Sequence, residues 1–175
     1  LQSNACSYDC TYCVNRRTNE TRRATFTPRE LADLTMQFSR RNYIEGLFLS
    51  SGVLKNPDYT TELLIKTLSI LRNEYQFGGY IHAKAIPGAS APLLTQLGLL
   101  ADRMSVNIEL PSEPSLQLLA PDKKKADILA PMGFLRDGIA QGKQEMIKQA
   151  FQDWIWKDPN RRDRLCRLYN EKFNS

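Results

Sequence analysis

The sequence contains one histidine, His82, among 175 residues, and only four cysteines, Cys6, Cys10, Cys13 and Cys166. Four cysteines, three of them bunched, make a poor disulfide framework for a chain of this size, so a reducing, cytoplasmic setting is expected. No apolar run approaches the roughly 20 residues that cross a bilayer, which argues against a membrane role. The first residues, from Leu1, carry no charged-then-apolar leader, so no secretory signal is expected. No internal repeat and no low-complexity segment interrupts the chain.

What is present suffices for one buried core, since 42% of the residues are hydrophobic. The net charge of +5 is modest but uneven. Seven arginines (16, 17, 22, 23, 29, 40 and 41) stand against Glu20, Glu30 and Asp33, and a second basic stretch, "KDPNRRDRLCR", lies near the C-terminus. Such stretches are either solvated surface or a steering patch for phosphates and nucleic acid.

Helix and strand signals alternate. "FTPREL" predicts a helix start, with Thr27 as cap, Pro28 at the first position and Glu30 closing a capping box. Leu31, Leu34 and Phe38 follow at helical spacing. "GLFLSS" (46–51) reads as a buried strand. Leu64, Leu68, Leu71 and Tyr75 form the apolar face of a long helix after Pro57. "GGYIHAKAIPG" (78–88) is the next strand, "APLLTQLGLLA" a short helix and "RMSVNIELP" (103–111) a further strand. Beyond Leu110 only helical periodicity remains, with Ile128, Met132, Leu135 and Ile139 on one face and Ile147, Phe151, Trp154 and Ile155 on another. This order predicts an α/β fold, a parallel sheet covered by helices, with ligands at the carboxyl ends of the strands. A first strand is almost missing, because only "LQSN" precedes Cys6.

Cys6, Cys10 and Cys13 fall within eight residues as C-x3-C-x2-C. Zinc normally pairs C-x2-C with a second pair of ligands, and only His82 and Cys166 are left to supply one. Inert buried cysteines fit poorly with the polar "SYD", "TY" and "NRR" around them. An iron–sulfur cluster is the favoured reading. Cysteine-ligated 4Fe–4S clusters usually take four thiolates, so three leave one iron for a substrate or cofactor.

The stretch "CSYDCTYC", with Tyr12 as the aromatic before the last cysteine, resembles the cluster loop of radical S-adenosylmethionine enzymes. The resemblance implies a partial, truncated (β/α) barrel of about four parallel strands with a helical tail. It implies that Cys6, Cys10 and Cys13 hold a 4Fe–4S cluster whose open iron is chelated by S-adenosylmethionine. One electron then cleaves the sulfonium to methionine and a 5′-deoxyadenosyl radical, which takes hydrogen from the substrate. An electron donor such as flavodoxin or ferredoxin is implied as well. The same template places Ser50, Ser51 and Gly52 at the methionine amino group. Asn107 and Glu109, two apart on one strand, would reach the ribose or carboxylate, and Lys84 would pair with the carboxylate.

In this order, "NACSYDCTYCVNRR", "EGLFLSSG", "GYIHAKAIPGAS" and "DRMSVNIELPSE" resemble a family named as DNA modification or repair radical S-adenosylmethionine proteins, over about residues 1–140. That resemblance implies DNA or another nucleic acid as substrate, met by Arg16, Arg17, Arg22 and Arg23, and a uracil-DNA-glycosylase-like partner. The segment from about 145 to 175 is instead similar to part of large helicase–methylase proteins. The expected division is therefore a core over 1–140 and a helical extension over 141–175, of different origin. Rival readings are a non-catalytic nucleic-acid-binding or docking module with a structural metal or relic cysteines, and a fragment without independent function. Each residue also has a plainer reading: His82 structural, Lys84 solvated, Ser50 and Ser51 turn formers, Asn107 and Glu109 satisfying each other. By the same measure one of Trp154 and Trp156 is core, and Cys166 is a small buried hydrophobe.

Overall fold

The computed structural model describes residues 1–134 and scattered positions beyond them (148, 149, 157, 159, 160, 163, 164, 167 and 171). The chain divides into two compact units, Leu1–Ile139 and Ala140–Ser175, and every element below belongs to the first. The helices expected beyond 140, with Trp154, Trp156 and Cys166, and the positions Leu135 and Ile139 lie outside the described residues.

The elements run α1 (Pro28–Arg40), β1 (Gly46–Leu49), α2 (Pro57–Ser69), β2 (Tyr80–Lys84), α3 (Ala91–Leu100), β3 (Arg103–Ser105), α4 (Glu113–Leu119) and α5 (Lys125–Phe134). The start of α1 forms as its sequence predicts: Thr27 accepts from the Glu30 amide, and the Glu30 carboxylate accepts back from the Thr27 amide at 2.8 Å. Its buried side differs from the expected one. Leu31, Ala32 and Thr35 face inward, whereas Phe38 is exposed and meets Tyr43 edge-on. Asn56 caps α2, which continues through a π turn at Ile70–Glu74. Leu64, Leu68 and Leu71 from this stretch are wholly buried.

The strands pair in parallel in the order β1-β2-β3. Leu49, Ile81 and Ala83 join Leu31, Leu64, Leu68, Leu94 and Leu97 in one core, so α1, α2 and α3 cover the same face of the sheet. Consecutive parallel strands with α1, α2 and α3 on one side form an arc of a (β/α) barrel, not a doubly wound sheet. The other face is open, which corrects the reading of "GLFLSS" as a buried strand. Phe48 is 54% exposed and touches His82 edge-on at 4.8 Å, and Tyr80 is also exposed.

Two polar hubs hold the arc. At the amino ends of the strands Arg72 donates to the carbonyls of Phe77, Gly79 and Leu100 and to Asp102 at 2.6 Å. The Asp102 carboxylate also accepts the Ile81 amide. At the other end the Gln2 and Ser3 side chains are buried where a first strand would lie. The Gln2 amide donates to the Ser50 carbonyl, and the Gly52 amide donates to the Ser3 carbonyl, both at 2.8 Å. The Gln2 side chain donates to Phe26 and accepts from Thr67. Among the described residues the sheet therefore has three strands, with residues 2–3 bonded beside the end of β1.

Candidate iron–sulfur and cofactor site

The cluster loop starts at Asn4 and is folded by its own polar groups. The amides of Cys13, Arg16 and Asn19 donate to the carbonyls of Cys10, Cys13 and Arg16 in successive tight turns. Asp9 accepts both the Thr18 amide and the Thr18 hydroxyl, bonds that lower its pKa. The Arg23 guanidinium spans the base of the loop. It donates to the carbonyls of Asn4, Asn15, Arg16 and Asn19 at 2.6–2.9 Å. Its two terminal nitrogens are thus committed to the loop itself, while Arg17 and Arg22 are exposed and Arg16 half-buried.

The loop lies across the end of β1. A Cβ at Gly52 would stand 2.9 Å from the Ala5 carbonyl oxygen and 3.2 Å from Cys6 Cβ, so glycine is required by close approach. The next amide, Val53 N–H, donates to Cys6 Sγ at 3.4 Å. On its far side the loop meets α4 and α5, where Cys10 is buried with Leu116, Ala120 and Ile128. That burial pushes the Cys10 thiol pKa up, against the pull of the Lys123 charge.

A cavity of about 590 Å³ opens at the carboxyl ends of the strands. All three cysteines line it, as do Tyr12, the aromatic of their motif, and Ser50, Ser51, Gly52, Lys84, Asn107 and Glu109, the residues expected at the cofactor subsite. Its size suits a small-molecule ligand. The four arginines do not line it. The lone histidine is not there either: His82 stands on the open sheet face and bonds Ser105 at 2.8 Å, and its pKa is lowered by burial, Arg103 and Lys84.

The cofactor candidates already have protein partners. The Ser51 hydroxyl donates to the Gly52 carbonyl, and Lys84 donates to Asn107. Glu109 does not share a strand face with Asn107, because β3 ends at Ser105 and Glu109 takes a left-handed backbone conformation, φ 66°. Its carboxylate accepts from Tyr12 at 2.8 Å and from Lys123 at 2.7 Å. Burial would raise the Glu109 pKa, but these bonds and the Lys123 charge outweigh it and lower the carboxyl. Burial, helped by the Glu109 bond, pushes the Tyr12 hydroxyl far above its ordinary value, so Tyr12 remains a donor. Lys123 was not foreseen from sequence, since "KKK" (123–125) reads as solvated charge.

These residues fit a cluster. Three thiols, one buried and two half-buried, converge on a cavity with an amide already donating to one sulfur. Among the described residues no three His, Cys, Asp or Glu are grouped to hold a single metal ion. Thiolates that each hold a different iron stand farther apart than those around one ion. The family profile described as a 4Fe-4S single cluster domain matches residues 1–113.

The chain belongs to the 4Fe-4S single cluster domain family.

A second profile, a domain of unknown function (DUF8437), matches residues 138–175 of this family member. Comparison with curated proteins finds no match. Among solved structures it resembles HydG, a maturase of the FeFe-hydrogenase, at 17% identity and TM-score 0.60, over 77% of this chain and 31% of that one. It resembles HydG from Carboxydothermus hydrogenoformans at 20% identity and TM-score 0.65, over 76% and 31%. Methylornithine synthase (PylB) is similar at 15% identity and TM-score 0.64, over 78% and 40%. The chain thus spans about a third of the length of these structures, and the likeness establishes the partial radical S-adenosylmethionine-type barrel fold. Fold and family together support the radical S-adenosylmethionine superfamily. No helix among the described residues is long and apolar enough to cross a membrane.

Proposed function

We propose that this chain carries the cluster- and cofactor-binding part of a radical S-adenosylmethionine enzyme. The observation that supports this most is the single cavity shared by Cys6, Cys10 and Cys13 and the strand-end residues from β1, β2 and the segment after β3. In this reading the three thiolates hold a 4Fe–4S cluster and leave one iron open. When bound, the cluster and S-adenosylmethionine would supply one-electron reductive cleavage of the sulfonium and hydrogen-atom abstraction, the electron coming from a flavodoxin- or ferredoxin-like donor.

The protein's own part is positional. Gly52 lets the cluster loop approach the end of β1, and Val53 N–H supports the Cys6 sulfur. Lys84 and Asn107, paired beside the cavity, present an ammonium and an amide to a carboxylate or ribose. Tyr12 and Glu109, bonded to each other at the cavity, tie the cluster loop to the segment after β3.

The substrate reading is DNA modification or repair, with a uracil-DNA-glycosylase-like partner. The support is Arg16, Arg17 and Arg22, on the same loop as the cysteines and outside the cavity. The chain is read as two parts of different origin, supported by the unit boundary at Ile139/Ala140 and the separate profile over 138–175.

The test is anaerobic reconstitution with iron and sulfide, reduction with dithionite in the presence of S-adenosylmethionine, and chromatography for 5′-deoxyadenosine. Its formation, lost on replacing any of the three cysteines with alanine, is the expected result. A loaded cluster that yields none points to the non-catalytic reading. For the substrate, binding of a DNA duplex whose affinity falls steeply with salt is expected; salt-insensitive or absent binding removes the nucleic-acid reading.

A further inference from the structure

The segment after Glu113 lies beyond the residues matched by the cluster-domain profile, yet it forms one wall of the site. Cys10 packs on Leu116, Ala120 and Ile128, with Tyr8, Cys13 and Met132 at the border. Three loop donors end on this segment: Thr11 N–H and its hydroxyl on the Leu119 carbonyl, at 2.8 and 3.1 Å, and Asp9 N–H on Asp122 at 2.7 Å. Lys123 follows directly. Its ammonium meets Glu109 at 2.7 Å with the two side chains only 13% and 15% exposed, and the other Glu109 oxygen holds Tyr12, between Cys10 and Cys13.

Sinking an ion pair this far is costly unless its hydrogen bonds are satisfied. Holding Glu109 at positive φ is a further expense that surrounding structure must fix in place. Both costs are met at the cavity wall beside the three thiols. Resting on the cluster reading above, we propose that α4–α5 completes the cluster site and that Lys123 is a positioning residue that also sets its charge. Through Glu109 and Tyr12 it fixes the loop between Cys10 and Cys13, and its positive charge favours the reduced cluster, which carries one more negative unit.

A cluster's potential responds to nearby charge. The two partners of the ion pair therefore have opposite effects. Lys123→Met removes the cation and shifts the midpoint potential of the reconstituted cluster to more negative values. Glu109→Gln removes the anion, leaves the ammonium and shifts it to more positive values. Lys123→Arg restores the potential towards that of the wild type. Iron and sulfide content, measured alongside, falls in Lys123→Met and recovers in Lys123→Arg.

Potentiometric titration followed by EPR reads all four proteins. Should Lys123→Met fail to fold, the isosteric Glu109→Gln still carries the sign test, and a negative or absent shift in it overturns the proposal, while the charge-conserving Lys123→Arg is expected to stay near the wild type. Shifts of the same sign for both partners, or none, in proteins that load normally would overturn the proposal while the cluster reading stands. A wild-type protein that takes up no cluster overturns both.

Discussion

Replacing Arg23 with methionine keeps the aliphatic stem and deletes four hydrogen bonds, to the carbonyls of Asn4, Asn15, Arg16 and Asn19. Charge-assisted bonds contribute about 1.5–3 kcal/mol each when sheltered, but this guanidinium is exposed to water and salt. Discounted for that exposure, the four together stabilise the closed loop by on the order of 2 kcal/mol. At about 1.4 kcal/mol per factor of ten, the closed-to-open ratio of the loop falls roughly 30-fold. Hydrogen exchange reads this directly at the amides of Arg16, Arg17 and Asn19, which bond Cys13, Tyr8 and Arg16 inside the loop. Exchange there should quicken by about that factor while the amides of β2 hold, because local opening need not propagate to the sheet. Unchanged protection, together with a salt slope for DNA binding that drops by about 0.9, would refute the clamp and mean that Arg23 reaches a phosphate.

Gly52→Ala places a methyl group against the Ala5 carbonyl and Cys6 Cβ. Overpacking of that kind costs about 1–3 kcal/mol, and the loop must give way at Cys6, so iron content should fall with the melting temperature; normal loading would contradict the close-approach argument. Arg72→Met removes the bonds to Asp102 and three carbonyls at the amino ends of the strands. It should lose about 2–3 kcal/mol, a melting shift of roughly 6–10 °C by circular dichroism, and a shift under about 2 °C would deny the hub. Thr27→Ala should lose about 1 kcal/mol in denaturant unfolding. The Glu30 carboxyl lies below its usual pKa because it accepts from the Thr27 amide and hydroxyl. Its support is therefore complete at neutral pH and lost as pH falls through that lowered value, so the gap between Thr27→Ala and wild type should narrow in acid; a gap that widens would contradict the capping box.

The strand-end positions were legible because short apolar runs stop abruptly at polar or glycine residues, as at Ser50–Gly52 and after Lys84. The cysteine loop was legible from spacing alone. Where the pattern misled, a local conformation or a distant partner decided the matter. "SVNIE" alternates like a strand, yet β3 ends at Ser105 and Glu109 turns to positive φ, held by Tyr12 and Lys123 from elsewhere in the chain. Lys123 and Arg23 sit in charge runs, and nothing in a run distinguishes the member that folds back from those that face water. Phe48 reads as core by composition, but the covering helices all lie on the Leu49 side. Gln2 looks like an unremarkable terminal residue; only the tertiary fold places it between Phe26 and Thr67.

In the proposed function three thiolates hold a cluster with one iron left open to S-adenosylmethionine. Low-temperature EPR of the anaerobically reconstituted, reduced protein, recorded with and without that cofactor, tests it most directly. The expected result is a reduced 4Fe–4S signal that changes when S-adenosylmethionine is added and disappears when any one of Cys6, Cys10 and Cys13 is replaced by alanine. No cluster signal, or a signal indifferent to the cofactor, would contradict it.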